Sequence, residues 1–470
     1  MSASLKKYIG DKAFYKLVLA VAVPVMIQNG VTNFVNLLDN VMVGRLGTEA
    51  MSGVSIVNQF IFIFNLLVFG AVSAASIFTA QYFGSKDVRG IRYTFRFKLI
   101  INVIAAVLGV VCFYLFDDQL IGIFLLAEDS AGDVASTLAF GKSYLLVMLF
   151  GLLPYAISQV YASTMRETGD TLTPMIASLV AVLTNFLLNA VLIFGLIGFP
   201  RLGVVGAGIA TVISRFAELL VLLIKAHSRT DLYPYIKGAY KSLYIPSSLF
   251  AKMSYKGLPL MMNEFLWAIA IMLRNQCYST RGLEVVAAQN IQSTLLNVFN
   301  VVYLALGSSI AIIVGNQLGA GDTEKAKDTD RKMIAFSMMC AAGMGALFAT
   351  SGVFFPMIYN TSDSVRGIAT YLMVVAAVVM PLNALANASY FTLRSGGLVA
   401  ITFLFDSVYM WAVVLPVSFI LAYLTPIGIY VLFPLCQSTE IVKSLIGLLL
   451  VKQGKWAKRI VTDSGAEENK

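Results

Sequence analysis

Gln28, Asn29, Thr32, Asn33, Asn36, Asp39 and Asn40 recur along an otherwise apolar stretch near the start of the chain. At about 100° per residue they share one arc of about 140° on a helix. Six neutral hydrogen-bonding side chains and one carboxylate on a single face describe the wall of a cavity. Polar glue between helices seldom needs so many amides, or a carboxylate. A carboxylate surrounded by amide and hydroxyl oxygens can hold Na⁺, which prefers oxygen ligands, or carry a proton.

Similar chemistry recurs elsewhere. Asn290, Ser293, Thr294, Asn297 and Asn300 fall on a second helical arc, with Gln289 at its edge. Asn185 and Asn189 are four residues apart and share a face. Asn263 and Glu264 follow Pro259 inside another apolar run. An acid there costs about 2.5–3.5 kcal/mol on insertion scales, so it must be hydrated, paired or protonated. Glu264 is therefore a second acidic candidate and a possible proton carrier. Arg274 is ten residues away, about 15 Å along a helix, too far to be its partner. Pro24 and Pro259 each free a helical carbonyl and permit bending, which makes them candidate hinges.

Other chemistries lack their residues. Cys112, Cys277, Cys340 and Cys436 are dispersed without metal-ligand spacing, and the single histidine, His227, lies between apolar runs. HExxH, GxSxG and Walker sequences are absent from the chain. The expectation is a protein that is not an enzyme, has no cofactor and, without ATP hydrolysis, draws on an ion gradient.

The elements that must position these groups are transmembrane helices. The chain is 58% hydrophobic and 13% charged, with mean hydropathy +0.81, far from the soluble norm of about 25% charged. Apolar runs fall at 14–38, 50–79, 97–116, 134–161, 172–198, 203–224, 257–273, 286–314, 333–358, 369–392, 398–424 and 427–451. Unbroken runs of this length exclude period-2 barrel strands, and the first has no signal-peptide cleavage pattern. Pro24, Gly47, Glu49, Asn65, Gly84 and Asp87 recur 235 residues later as Pro259, Gly282, Glu284, Asn300, Gly319 and Asp322. The fold predicted is an all-α polytopic membrane protein of twelve transmembrane helices in two pseudo-symmetric six-helix lobes. The N-lobe would span 1–225, a cytoplasmic linker 226–252, the C-lobe 253–451 and a cytoplasmic tail 452–470. Two similar halves in a membrane suggest a transporter with alternating access.

Charge sets the expected orientation. With both termini cytoplasmic, 26 Lys or Arg lie on the inside and 6 outside, and the remaining two, Arg215 and Lys443, sit within or near helices. The net charge of +9 then reflects topology and contact with anionic lipid. It does not point to nucleic acid, because the basic residues are scattered over separate loops. The acidic loop holding Asp117, Asp118, Glu128, Asp129 and Asp133 is read as solvated.

Several segments resemble multidrug and toxic compound extrusion (MATE) transporters of prokaryotic, DinF-like or NorM-like type. They are Leu38 to Gly47, Asn185 to Asn189, Gly203 to Thr211, Met165 to Asp170, Leu393 to Gly397, Val314 to Gly319 and Gly454 to Trp456. The resemblance implies a bacterial-type inner-membrane antiporter, taken as a monomer, that expels amphipathic, often cationic compounds in exchange for Na⁺ or H⁺. It implies a coupling site at Asp39, Asn185, Asn189 and Thr211, where many members carry Asp at the position of Asn189. Gln28, Asn29, Asn33, Asn36, Asn290, Asn297 and Asn383 would line the cavity. Glu264 matches an acid of the NorM-like branch, but its acidic partner falls at the neutral Asn383, so the pattern lies nearer the DinF-like branch. The alternative is a lipid-linked oligosaccharide flippase of the same superfamily, whose cavity would carry several basic groups for pyrophosphate.

Overall fold

The computed structural model describes residues 7–126 and 134–462, apart from the side chains at 35–38, 40, 41, 123–126 and 197. Its helices are α1 (Lys12–Gly44), α2 (Thr48–Gly84), α3 (Val88–Leu115), α4 (Asp117–Leu126), α5 (Val134–Glu167), α6 (Leu172–Phe194), α7 (Gly203–Ser228), α8 (Ser247–Ser279), α9 (Leu283–Gly319), α10 (Thr323–Phe354), α11 (Asp363–Ser395), α12 (Val399–Tyr423) and α13 (Ile429–Lys452). Among the described residues there is no strand, and twelve helices are long and apolar enough to cross a membrane. The short α4 lies outside that set. It occupies part of the expected acidic loop, where Asp117 and Asp118 open its first turn and face Lys142 at 3.5 and 2.8 Å. Acids at a helix N-terminus favour the helix over a solvated coil. Glu128, Asp129 and Asp133 lie outside the described residues.

Repeat-related positions take the same conformation. Gly47 and Gly282 turn α1 into α2 and α8 into α9 with φ of 121° and 105°, a region that L side chains rarely enter.

Contacts divide the chain into two compact units. The N-unit comprises Ile27–Thr79 and Val88–Gly257. The C-unit comprises the residues up to Met26 together with Ala80–Asp87 and Leu258–Thr462. These units are not the two halves of the sequence. The chain passes from one to the other between Met26 and Ile27, two residues after Pro24, between Thr79 and Ala80, between Asp87 and Val88, and between Gly257 and Leu258, just before Pro259.

The N-unit core gathers Val54, Val57 and Phe64 of α2, Leu145 and Leu152 of α5, and Val204 and Ala207 of α7. In the C-unit, Leu306, Ile310 and Val314 of α9 pack with Leu385 and Leu393 of α11, with Val18 and Ala22 of α1, and with Trp456 beyond α13. There the ends of α2 and α9 cross through a reciprocal glycine contact. A Cβ on Gly84 would lie 1.9 Å from the carbonyl oxygen of Asn316, and one on Gly319 would lie 1.9 Å from that of Gln81. Each repeat thus supplies the glycine that admits the other's backbone. Cys277 and Cys436, dispersed in sequence, belong to one apolar cluster with Tyr278 and Phe433, and all four cysteines are free thiols.

The segment 229–246 between α7 and α8 is an ordered strap on the N-unit. Arg96 of α3 donates to the carbonyls of Gly238, Ala239 and Tyr244 at 3.0, 2.9 and 2.8 Å, and Arg92 donates to that of Tyr235. Tyr233 hydrogen-bonds Asp170, and burial pushes its phenol up to about 12. His227 is exposed and stacks on Tyr240.

Candidate functional site

In the N-unit three helices bring the predicted coupling residues together. Asn189 of α6 donates through Nδ2 to Oδ1 of Asp39 on α1 at 2.6 Å, and to Oδ1 of Asn185 at 3.1 Å. Asn185 donates in turn to Oγ1 of Thr211 on α7 at 3.1 Å, and that hydroxyl donates to the Ala207 carbonyl. Asn185 and Asn189 are 4% and 1% exposed, so this amide pair is sealed from solvent, whereas Asp39 is half-buried. The site is one carboxylate backed by two amides and a hydroxyl. Because amides do not relay protons as hydroxyl or water chains do, the arrangement suits holding a charge at Asp39 better than conducting a proton past it.

A second polar layer lies along the same three helices and α5. Arg166 of α5 donates to Gln28 at 3.1 Å, Gln28 to Ser178 at 2.8 Å, and Ser178 to Oε1 of Glu218 at 3.0 Å. Gln28 and Asp39 are eleven residues apart on α1, about 16 Å along the axis. Thr211, Arg215 and Glu218 occupy one face of α7 at i, i+4 and i+7. Glu218 is 3% exposed. Sequence reading noted Arg215 in its apolar run but missed Glu218; an acid within that run was the available signal.

The other proposed wall residues divide. Asn29 is half-buried and Asn33 exposed on α1, and the Asn36 side chain lies outside the described set. Asn290 and Asn297 are exposed on α9, and Asn383 is half-buried on α11.

In the C-unit, Glu264 accepts from the Tyr390 hydroxyl at 3.0 Å. Its neighbour Asn263 donates to Oδ2 of Asp406 at 2.9 Å, and Lys443 of α13 donates to Oδ1 of Asp406 at 2.7 Å. Asp406 sits where α12 widens into i→i+5 turns over Leu404–Val408, a local distortion that re-aims side chains. Asn383, expected beside Glu264, is not among these hydrogen-bond partners. The polar company of Glu264 comes from Tyr390 and Asn263, with Asp406 and Lys443 one bond further on. Sequence reading placed Lys443 within or near its helix but passed over Asp406.

Comparison with known proteins identifies the architecture. The MatE family model matches residues 24–191 and 259–424. The chain belongs to the MatE family.

Each matched block covers the first five spans of one repeat and begins at its proline, Pro24 or Pro259. Relatives of this MatE chain include "Probable multidrug resistance protein NorM" of Thermotoga maritima, 25% identical over 454 residues, covering 95% of this chain and 94% of that protein. "Probable multidrug resistance protein YoeA" of Bacillus subtilis is 23% identical over 448 residues, 94% of each. Among solved structures, an outward-facing multidrug resistance MATE family transporter of the MOP superfamily superposes with TM-score 0.85 at 19% identity, over 98% of this chain and 99% of that one. At that identity the likeness carries the fold alone.

Proposed function

We propose that this MatE protein is a secondary active multidrug exporter. It exchanges Na⁺ or H⁺ for amphipathic, often cationic organic compounds, with Asp39 as the coupling carboxylate. The observation that carries the reading is the bonded set Asp39, Asn189, Asn185 and Thr211. It joins an acid to three oxygen-bearing side chains from two other helices. Rotating the Asn189 amide by half a turn exchanges its nitrogen for its oxygen towards Asp39, which gives Na⁺ an oxygen ligand. A proton on Asp39 neutralises the same charge. The names of the NorM and YoeA relatives support export of drugs.

The working membrane is the bacterial inner membrane, with both termini cytoplasmic. Cation binding at Asp39 repacks α1, whose proline lies two residues from the crossing between units, and substrate leaves as the packing changes. For a neutral cargo, one charge moving inward gains about 2.3 kcal/mol per 100 mV, enough for roughly fifty-fold accumulation. Pyrophosphate-linked lipid is the poorer fit, because Arg166 is engaged by Gln28 and Arg215 lies against Glu218 and Tyr155.

The test is efflux of a fluorescent organic cation from proteoliposomes of wild type and Asp39→Asn, with Na⁺ and pH gradients imposed separately at clamped voltage. Export driven by one gradient and lost in the variant is expected. Wild-type export by folded Asp39→Asn at equal protein levels would sink the assignment.

A further inference from the structure

We propose that the Lys443 ammonium is a built-in cation that fills, within the C-unit, the place a bound monovalent metal cation would otherwise take. The proposal rests on the reading of the protein as a cation-coupled exporter, and it confines the coupling ion to Asp39.

The two repeats build one polar layer with different charges. In the N-unit the Gln28 amide of α1 donates to Ser178 of α6 at 2.8 Å, and Ser178 donates to Glu218 of α7 at 3.0 Å. In the C-unit the Asn263 amide of α8 donates to Asp406 of α12 at 2.9 Å, and Lys443 of α13 donates to the same carboxylate at 2.7 Å. Gln28 and Asn263 are related by the 235-residue recurrence, while Ser178 and Asp406 stand 228 residues apart, as do Arg215 and Lys443. Where the N-unit has a hydroxyl, the C-unit therefore has a carboxylate, and a lysine from the next helix answers its charge.

The side chains bonded to one another around Asp406 carry the oxygens that hard cations take. Asn263 accepts from Ser407 at 2.8 Å and lies 3.4 Å from the Tyr390 hydroxyl, which donates to Glu264 at 3.0 Å. Two carboxylates, a phenol, a hydroxyl and an amide thus gather from α8, α11 and α12. The ammonium that meets them is buried with its partner and lies 5.7 Å from the centre of the Phe405 ring. It is a compact point charge, equal to that of Na⁺ but fixed to α13. It cannot leave during a transport cycle, so the charge of this layer stays constant and the C-unit loads no ion.

Removing the lysine should open the site to an ion from solution. Asp39→Asn, Asp39→Asn with Lys443→Met, and that pair with Asp406→Asn are purified, so that Asp39 binds nothing in any of them. Thermal unfolding in detergent is followed across NaCl and KCl series, with N-methylglucamine chloride holding ionic strength constant. With Lys443 intact the midpoint should stay flat. Without it the midpoint should start lower and climb with Na⁺ or K⁺, by roughly 1–3 °C per tenfold once the site fills. Adding Asp406→Asn should abolish the climb. If Lys443→Met does not fold, Lys443→Gln, whose amide still donates to Asp406, replaces it. A climb with Lys443 intact that Asp406→Asn removes would overturn the proposal, because the site would then admit an ion beside the lysine. So would a midpoint that, without Lys443, answers to neither ion or only to acidification. These midpoints require no transport, so the efflux test of Asp39→Asn decides the coupling reading separately.

Discussion

The Asn189 amide nitrogen lies 2.6 Å from Oδ1 of Asp39, across 150 positions of sequence. Its second hydrogen goes to Asn185, so one neutral side chain ties the acid on α1 to the polar face of α6. The site consequently carries one negative charge where an aspartate at 189 would give two.

Asn189→Asp tests that charge count. Two carboxylates at this separation repel, so the second is harder to ionise than Asp39 alone. The variant should make transport depend more steeply on external pH than wild type does. Initial efflux rates across a pH series at fixed voltage check this, and an unchanged profile would show that the second position does not feel the first.

Lys443 and Asp406 form a buried pair at 2.7 Å, with side chains 8% and 14% exposed. Removing one partner strands the other charge. Lys443→Met alone should therefore destabilise the protein by about 3–5 kcal/mol, whereas Lys443→Met with Asp406→Leu should recover most of that loss. Thermal unfolding in detergent of the two single variants and the double variant reads the coupling.

Gly84 and Gly319 admit each other's helix at the crossing of α2 and α9. Alanine at either position drives a methyl group into a backbone carbonyl that cannot rotate away. Each substitution should cost about 1–3 kcal/mol. The double variant should cost less than the sum, because a single separation of the helices relieves both clashes. Unfolding midpoints of the three variants provide the measurement.

Arg96 holds the strap between α7 and α8 through three carbonyls. Arg96→Met leaves those acceptors without their charged donor and should release residues 229–246 while the helices remain folded. Limited proteolysis should cut this segment at least several-fold faster than in wild type. Equal cleavage rates would show that the aromatic contacts of Tyr233 and Tyr240 hold the strap without Arg96.

Much of this protein is legible in sequence because hydropathy and helical periodicity are local. The apolar runs place twelve spans, and the 235-residue recurrence of Pro24, Gly47 and Gly84 marks the repeat. The four-residue spacing of Asn185 and Asn189 puts them on one face whatever α6 packs against. The family resemblance adds Thr211 to Asp39, and the hydrogen bonds join all four residues.

What only the tertiary structure decided is which face meets which. Glu218 looks like an isolated acid until Ser178, 40 residues away, donates to it and Arg215 lies alongside. Asp406 and Lys443 are 37 residues apart and meet only when α12 and α13 pack together. Pro24 is a repeat landmark and a candidate hinge in the sequence, but only contacts show that the chain changes units two residues later. Sequence determined how each helix distributes its polar and apolar groups, since that follows from the rise and turn of a single backbone. The pairing of charges depends on packing between distant segments, and in an apolar medium that pairing decides which buried charges can exist at all.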